Sequence, residues 1–131
     1  IKTMKKEKLH LEYLLNATSK NMIWSSISTP AGLEGWFADK VTSDDKTVSF
    51  QWGKTEKKTA EIMAIRAFSF IRFRWLDADH EREYFEFKMV YNEITRDHLL
   101  EITDFAPLDE TNDQMELWNS QVEKLKRTYG Y

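Results

Sequence analysis

The stretch from Thr111 to Tyr129 constrains the fold most, because its apolar residues fall at helical spacing while most of the chain before it alternates with the period of a strand. Met115, Trp118, Val122, Leu125 and Tyr129 return every three or four residues and share one face, with Glu116, Asn119, Ser120, Glu123, Lys124 and Arg127 on the other. This predicts one amphipathic helix of about five turns, on the order of 28 Å long at 1.5 Å per residue. One face of it must be covered. The cover available is a sheet, and a curved sheet around a single helix leaves room for a cavity between the two.

A chain of 131 residues is the size of one domain, and the whole of 1–131 is expected to form it. There is no cysteine, which excludes disulfides, thiolate metal sites and cysteine nucleophiles and suits a reducing, cytoplasmic setting. Residues 1–6 are expected to be disordered or foreign to the native protein, with Met4 a candidate start. Ile1 to Lys8 lacks the apolar run of a signal peptide, and no segment approaches the roughly 18 apolar residues of a membrane span. With 22 acidic and 19 basic residues the net charge is −3, which argues against nucleic acid as a partner. Lys54, Lys57 and Lys58 read as a solvated turn, and Arg72 and Arg74 as the outer face of a strand. Aromatic residues make up 14% of the chain, enough large rings to fill a core or to line a pocket for an apolar ligand.

Taken in order, Lys8 to Asn16 reads as a strand with Leu9, Leu11, Tyr13 and Leu15 on the buried face and His10, Glu12 and Leu14 on the other. Thr18 caps a short helix through about Ile27. Thr29 before Pro30 starts a second, with Leu33, Trp36 and Phe37 as its apolar side and Gly32 and Gly35 keeping it short or bent. Six strands follow: around Val41, Val48 to Trp52, about Lys57 to Ala67, Phe70 to Trp75, Arg82 to about Glu93, and His98 to Phe105. In the fourth strand Ala60, Ile62, Ala64 and Arg66 share one face, and the residues leave open which face is inward. Thr111 with Gln114 three residues on fits a capping box for the last helix. A strand, two short helices, six antiparallel strands and a long helix place the chain in the α+β class.

This order resembles the helix-grip fold of the START-like superfamily, and most of all its bacterial branch of activators of a heat-shock-chaperone ATPase. The hairpin motif of that branch is carried here by Ile23-Trp24, Thr29-Pro30, Leu33 and Trp36-Phe37, and its last-helix motif by Trp118, Leu125 and Lys126. The chain departs from the pattern in having Arg96-Asp97-His98 where the family carries paired glycines. The resemblance implies a seven-stranded antiparallel sheet curled around the C-terminal helix, and an apolar cavity with its mouth near the helix hairpin. It also implies a hydrophobic ligand, such as a lipid, sterol or polyketide, or docking on a protein partner.

The expected cavity lining takes Trp36 and Phe37 from the hairpin, Phe50 and Trp52 from the third strand, and Ile62 and Arg66 from the fourth. Phe73 and Trp75 join from the fifth strand, Phe85, Phe87, Met89 and Tyr91 from the sixth, Asp104 from the seventh, and Trp118 and Val122 from the helix. Rings at such spacings usually form core, and only unfilled volume makes them a binding site. If the face that Asp104 shares with Leu100 and Ile102 is inward, its carboxylate enters an apolar cavity and needs a partner, for which Arg66 is the candidate. The simpler expectation is that Asp104, near the strand end, reaches water or caps the following loop. His10, His80 and His98 lack metal-motif spacing and read as solvated, and Asp77, Asp79, Glu81 and Glu83 as a plain acidic hairpin. Neither a catalytic set nor a cofactor or metal is implied.

The expected function is non-catalytic binding of a hydrophobic or amphipathic small molecule, lipid-like or aromatic, by a monomer or homodimer. A protein-interaction or cochaperone-like module with a filled core is the alternative, and a cyclase- or hydratase-type enzyme relying on Asp104 a third reading.

Overall fold

Strand β1 (Lys6–Leu15) opens the described part of the computed structural model, which covers residues 6–17, 19–78 and 82–131. The strand therefore begins at Lys6, two residues earlier than its alternation suggests; of the start expected to be disordered or foreign, 1–6, Lys6 thus lies in the strand and the rest lies outside the described residues. Helices α1 (Lys20–Ser28) and α2 (Pro30–Glu34) follow. The cap of α1 is Ser19, whose hydroxyl accepts from the Met22 N–H; the expected cap, Thr18, lies outside the described residues. Thr29 serves both helices: its hydroxyl donates to the Ser25 carbonyl at 2.7 Å and accepts from the Gly32 N–H at 3.0 Å, with Pro30 at the first turn of α2.

The remaining strands are β2 (Lys40–Asp44), β3 (Thr47–Trp52), β4 (Glu56–Arg66), β5 (Phe70–Trp75), β6 (Phe85–Asn92) and β7 (Asp97–Pro107). They form one antiparallel sheet in the order β1-β7-β6-β5-β4-β3-β2, a meander whose last strand returns to pair with the first. A 3-10 turn, Leu108–Glu110, leads into α3 (Thr111–Tyr129), which has the bounds its spacing predicts. Trp118, Val122 and Leu125 are buried on its inner stripe, Tyr129 is half-buried and Met115, at its start, is exposed. Among the described residues no helix is long and apolar enough to cross a membrane.

Two local expectations are corrected. The capping box does not form: the N-cap of α3 is Glu110 without a side-chain hydrogen bond, and Gln114 reaches back into the sheet instead. In β4 a bulge between Ile62 and Ala64 adds one residue to the strand, so Ile62 pairs with Phe73 but Arg66 pairs with Phe70. The extra residue inverts the alternation. Arg66 thus leaves the face of Ala60 and Ile62, lies exposed on the outer side with Phe70 and Arg72, and is no partner for Asp104. At the turn before β7, Arg96 adopts a left-handed φ of 62° and donates its N–H to the Asn92 carbonyl, filling by strain, about 1–2 kcal/mol, a conformation that glycine takes freely.

The helix hairpin meets both itself and α3 at very close range. A methyl group on Gly32 would lie 2.0 Å from the Ser25 carbonyl oxygen, and one on Gly35 2.2 Å from the Tyr129 hydroxyl. That hydroxyl donates to the Gly32 carbonyl at 2.7 Å, and Thr128 donates to the Gly35 carbonyl at 2.9 Å. Gly32→Ala collides with backbone, which cannot step aside, and is expected to lower unfolding free energy by about 3 kcal/mol in urea titration. Gly35→Ala meets the end of a side chain that can rotate away, and is expected to cost clearly less; equal losses would contradict this account.

Candidate functional site

Between the sheet and α3 the volume is occupied by rings. Phe37, just after α2, stacks on Trp118 with centroids 5.7 Å apart and planes 12° from parallel, and meets Phe50 of β3 edge-on at 4.9 Å. Phe85 and Phe73 stack at 4.9 Å, and Trp36 lies 5.1 Å from Phe87. Each such ring, fully buried, contributes about 1.5–3 kcal/mol through apolar burial. Trp36, Phe50, Phe73, Phe87, Met89 and Val122 are all buried in this core, with Ile62 packed at its margin.

Open volume lies instead at the end of the sheet where α3 begins. One cleft of about 650 Å³ is bounded by Trp75 and Tyr84 beside β5 and β6, by Asp104 to Pro107 of β7, and by Gln114 and Leu117 of α3. A second, of about 400 Å³, shares Lys58, Trp75, Asp104, Gln114 and Leu117 with the first and runs inward to Phe37, Trp52, Phe85, Trp118 and Gln121. Of the expected lining, the structure thus brings Phe37, Trp52, Trp75, Phe85, Asp104 and Trp118 to open volume. The mouth lies along the N-terminal half of α3, and the hairpin side of the molecule contributes Phe37 to it. Arg66 is elsewhere, and Tyr91 is half exposed, 4.9 Å from the His98 ring, outside both clefts.

Asp104 lies in the floor common to both clefts and is only 9% exposed, so it is largely withdrawn from water, unlike the strand-end expectation. The inward alternation of β7 simply continues through Leu100 and Ile102 to it. Its Oδ2 accepts from Trp118 Nε1 and from Gln114 Nε2, both at 2.8 Å, and its Oδ1 accepts from the Phe105 N–H at 2.8 Å. Burial pushes the carboxyl above the ordinary aspartate value, while the hydrogen bonds from Trp118, Phe105 and Gln114 and the charge of Lys6 pull the other way.

Several lining residues escaped the sequence reading although a signal was present. Lys58 pairs with Phe50, so the period that places Ala60 and Ile62 inward also places Lys58 inward. Its ammonium lies 4.3 Å from the Trp75 ring centroid and 3.7 Å from Asp77 Oδ1, not in a solvated turn. Gln114, Trp118 and Gln121 follow helical spacing on α3, and Gln121 donates to the Phe37 carbonyl at 3.1 Å. His98, expected at the surface, is buried and its Nδ1 donates to the Ala17 carbonyl at 2.9 Å. His80, Asp79 and Glu81 lie outside the described residues.

On the outer face of β1 and β7, His10 Nε2 lies 3.5 Å from Glu12 and 3.6 Å from Glu101. By ligand type the trio could hold a divalent ion, yet His10 and Glu12 are exposed and the group lies on the side of the sheet away from the clefts.

A carboxyl whose pKa is raised on folding holds its proton more tightly in the folded than in the unfolded chain. The stability this contributes is full below the unfolded aspartate value and is lost as pH rises through the raised folded value. Stability relative to Asp104→Asn, measured by urea unfolding at a series of pH values, is therefore expected to fall across that window. A rise would mean that the three donors outweigh burial.

Comparison with known proteins bears on the whole chain. A family model, the START-like superfamily domain, matches residues 3–131. A protein from Bacteroides fragilis with a solution NMR structure is 70% identical, with 98% of this chain and 94% of that chain covered and a TM-score of 0.68. The fold is shared at 16% identity with DynU16 of the dynemicin biosynthetic locus, at a TM-score of 0.75 over 92% of this chain and 46% of that one. It is shared at 14% identity with the Aha1 dimer from Colwellia psychrerythraea, at a TM-score of 0.67 over 91% and 90%. No curated protein matches the chain.

Proposed function

Since the chain belongs to the START-like superfamily, we propose that it binds a hydrophobic or amphipathic small molecule, lipid-like or aromatic, in the cleft beside the N-terminal half of α3, without transforming it. The observation that carries this reading is the joined recess of about 650 Å³ and 400 Å³, the size range of small-ligand sites. Its walls offer the rings of Trp52, Trp75, Tyr84 and Phe85 for contact area and a rim of polar and charged groups, Asp104 and Gln114 among them, for orientation. Because the centre is packed with rings, the ligand sits at the mouth of the fold rather than in its middle. Binding without turnover is supported by the state of Asp104, both of whose oxygens are already held by donors of the protein itself.

A second reading, a protein-interaction surface, draws support from Phe68. This residue is 45% exposed, holds a left-handed φ of 60°, and presents its ring to Trp24 of α1 at 6.2 Å. A bulky residue at such a φ strains its backbone, and an exposed ring held in place at that cost suits recognition.

Native mass spectrometry of the protein purified from its own host, followed by denaturing extraction, tests the first reading. A stoichiometric lipid-like or aromatic adduct is expected, and it is expected to be lost in Leu117→Asn, which replaces an apolar contact in both clefts by a polar, uncharged one at a half-exposed position that spares the core. A protein that arrives empty and takes up no hydrophobic fluorescent probe would overturn it.

A further inference from the structure

Resting on the cleft as a small-molecule site, we propose that its occupant is a cationic amphiphile, an ammonium group carried on an apolar body. The first observation is the charge of the walls. Among the described residues lining the two clefts, Glu56, Asp77, Glu83, Asp104, Glu110 and Asp113 carry carboxylates, against the amines of Lys6 and Lys58. Each amine already faces a carboxylate of the same wall, Lys6 with Glu83 and Lys58 with Asp77. The excess is negative, and in a recess with low-dielectric walls such an excess concentrates cations and repels a fatty carboxylate.

The second observation is that the protein has set a cation of its own in this place. Lys58 enters from the inward face of β4 and holds its ammonium over the Trp75 indole, beside Asp77. A cation above an indole with a carboxylate alongside is the arrangement by which aromatic sites recognise alkylammonium groups, because the ring face and the anion both stabilise the positive charge. The Lys58 side chain is 34% exposed, and its flexible stem allows the ammonium to swing out to water. A ligand ammonium takes the vacated position, and its apolar body lies along Leu117 and Trp52 toward the inner cleft. Lys58 is then an internal competitor of the ligand, the opposite of the role a lysine has in an anion site.

That opposition makes the proposal testable by isothermal titration calorimetry with dodecyltrimethylammonium, dodecanoate and dodecanol, each below its aggregation limit. The native protein is expected to prefer the ammonium over dodecanoate by about tenfold, and the preference to shrink as salt is added. Lys58→Met, which keeps the apolar stem and removes the competing charge, is expected to tighten ammonium binding by about threefold or more. Asp77→Asn is expected to weaken it. Lys58 and Asp77 both reach solvent, so these variants leave the ring core intact. Dodecanoate binding as tightly as the ammonium, or Lys58→Met weakening the binding of both, would overturn the cation assignment while leaving the cleft as a ligand site. Failure of all three chains to bind would overturn the cationic amphiphile, and failure to take up a hydrophobic fluorescent probe as well would overturn the cleft reading itself.

Discussion

The stack of Phe37 on Trp118 is the contact on which the architecture depends, because it is where hairpin, sheet and helix meet. Phe37 leaves the hairpin, lies face to face with the helix tryptophan, and touches Phe50 and Trp52 of β3 and Phe85 and Phe87 of β6. Its carbonyl is fixed as firmly as its ring, accepting from the Trp52 indole at 2.7 Å and from Gln121. One residue thus joins three elements by packing and by hydrogen bonding at once. With that point filled, the helix cannot enclose a large void at its middle, and open volume is displaced to the end where α3 begins.

There the same helix carries out a second task. Trp118 stacks on Phe37 through its ring and donates to Asp104 through its indole N–H, so one side chain couples the apolar core to the buried carboxylate in the floor of the clefts. The carboxylate costs free energy to bury and regains part of it from three donors, each supplied by an element that must be in place for the fold to exist. Its position is consequently as well defined as the core itself. The surrounding wall is softer: Lys58, Asp77 and Leu117 reach solvent and can rearrange around a guest.

What the sequence could reveal follows from which signals are local. The span of α3 was legible because a long 3.6-residue period has no competing interpretation, and the strand alternation of β1, β3, β5 and β6 was legible for the same reason with period two. The bulge in β4 was not, since an added residue is recognisable only against the partner strand, and it moved Arg66 to the wrong face. Gln114 matched a capping box in spacing, yet a buried carboxylate across the fold offered its amide a stronger partner than a helix end in water. Asp104 and Lys58 run against the general habit of charged residues to be exposed; alternation ties each to one face of its strand, and only the ladder partners Leu9 and Phe50 show that face to be inward. The burial of His98 is equally non-local, because the carbonyl that satisfies it belongs to Ala17, 81 residues earlier in the chain.

The pairing of β1 with β7 has a consequence for synthesis. His10 and Thr103 face each other across that ladder although they are 93 residues apart, so β1 must wait for about that length of chain before the strand it pairs with among the described residues exists. At the pace of a ribosome the delay is roughly 5–20 s, during which an apolar strand is exposed to every other nascent chain. The alternation of β1 limits that hazard. Lys8, His10 and Glu12 place a charged or ionisable group at every second position, a pattern that resists pairing with a stranger while leaving Leu9 and Leu11 ready for the partner that arrives last.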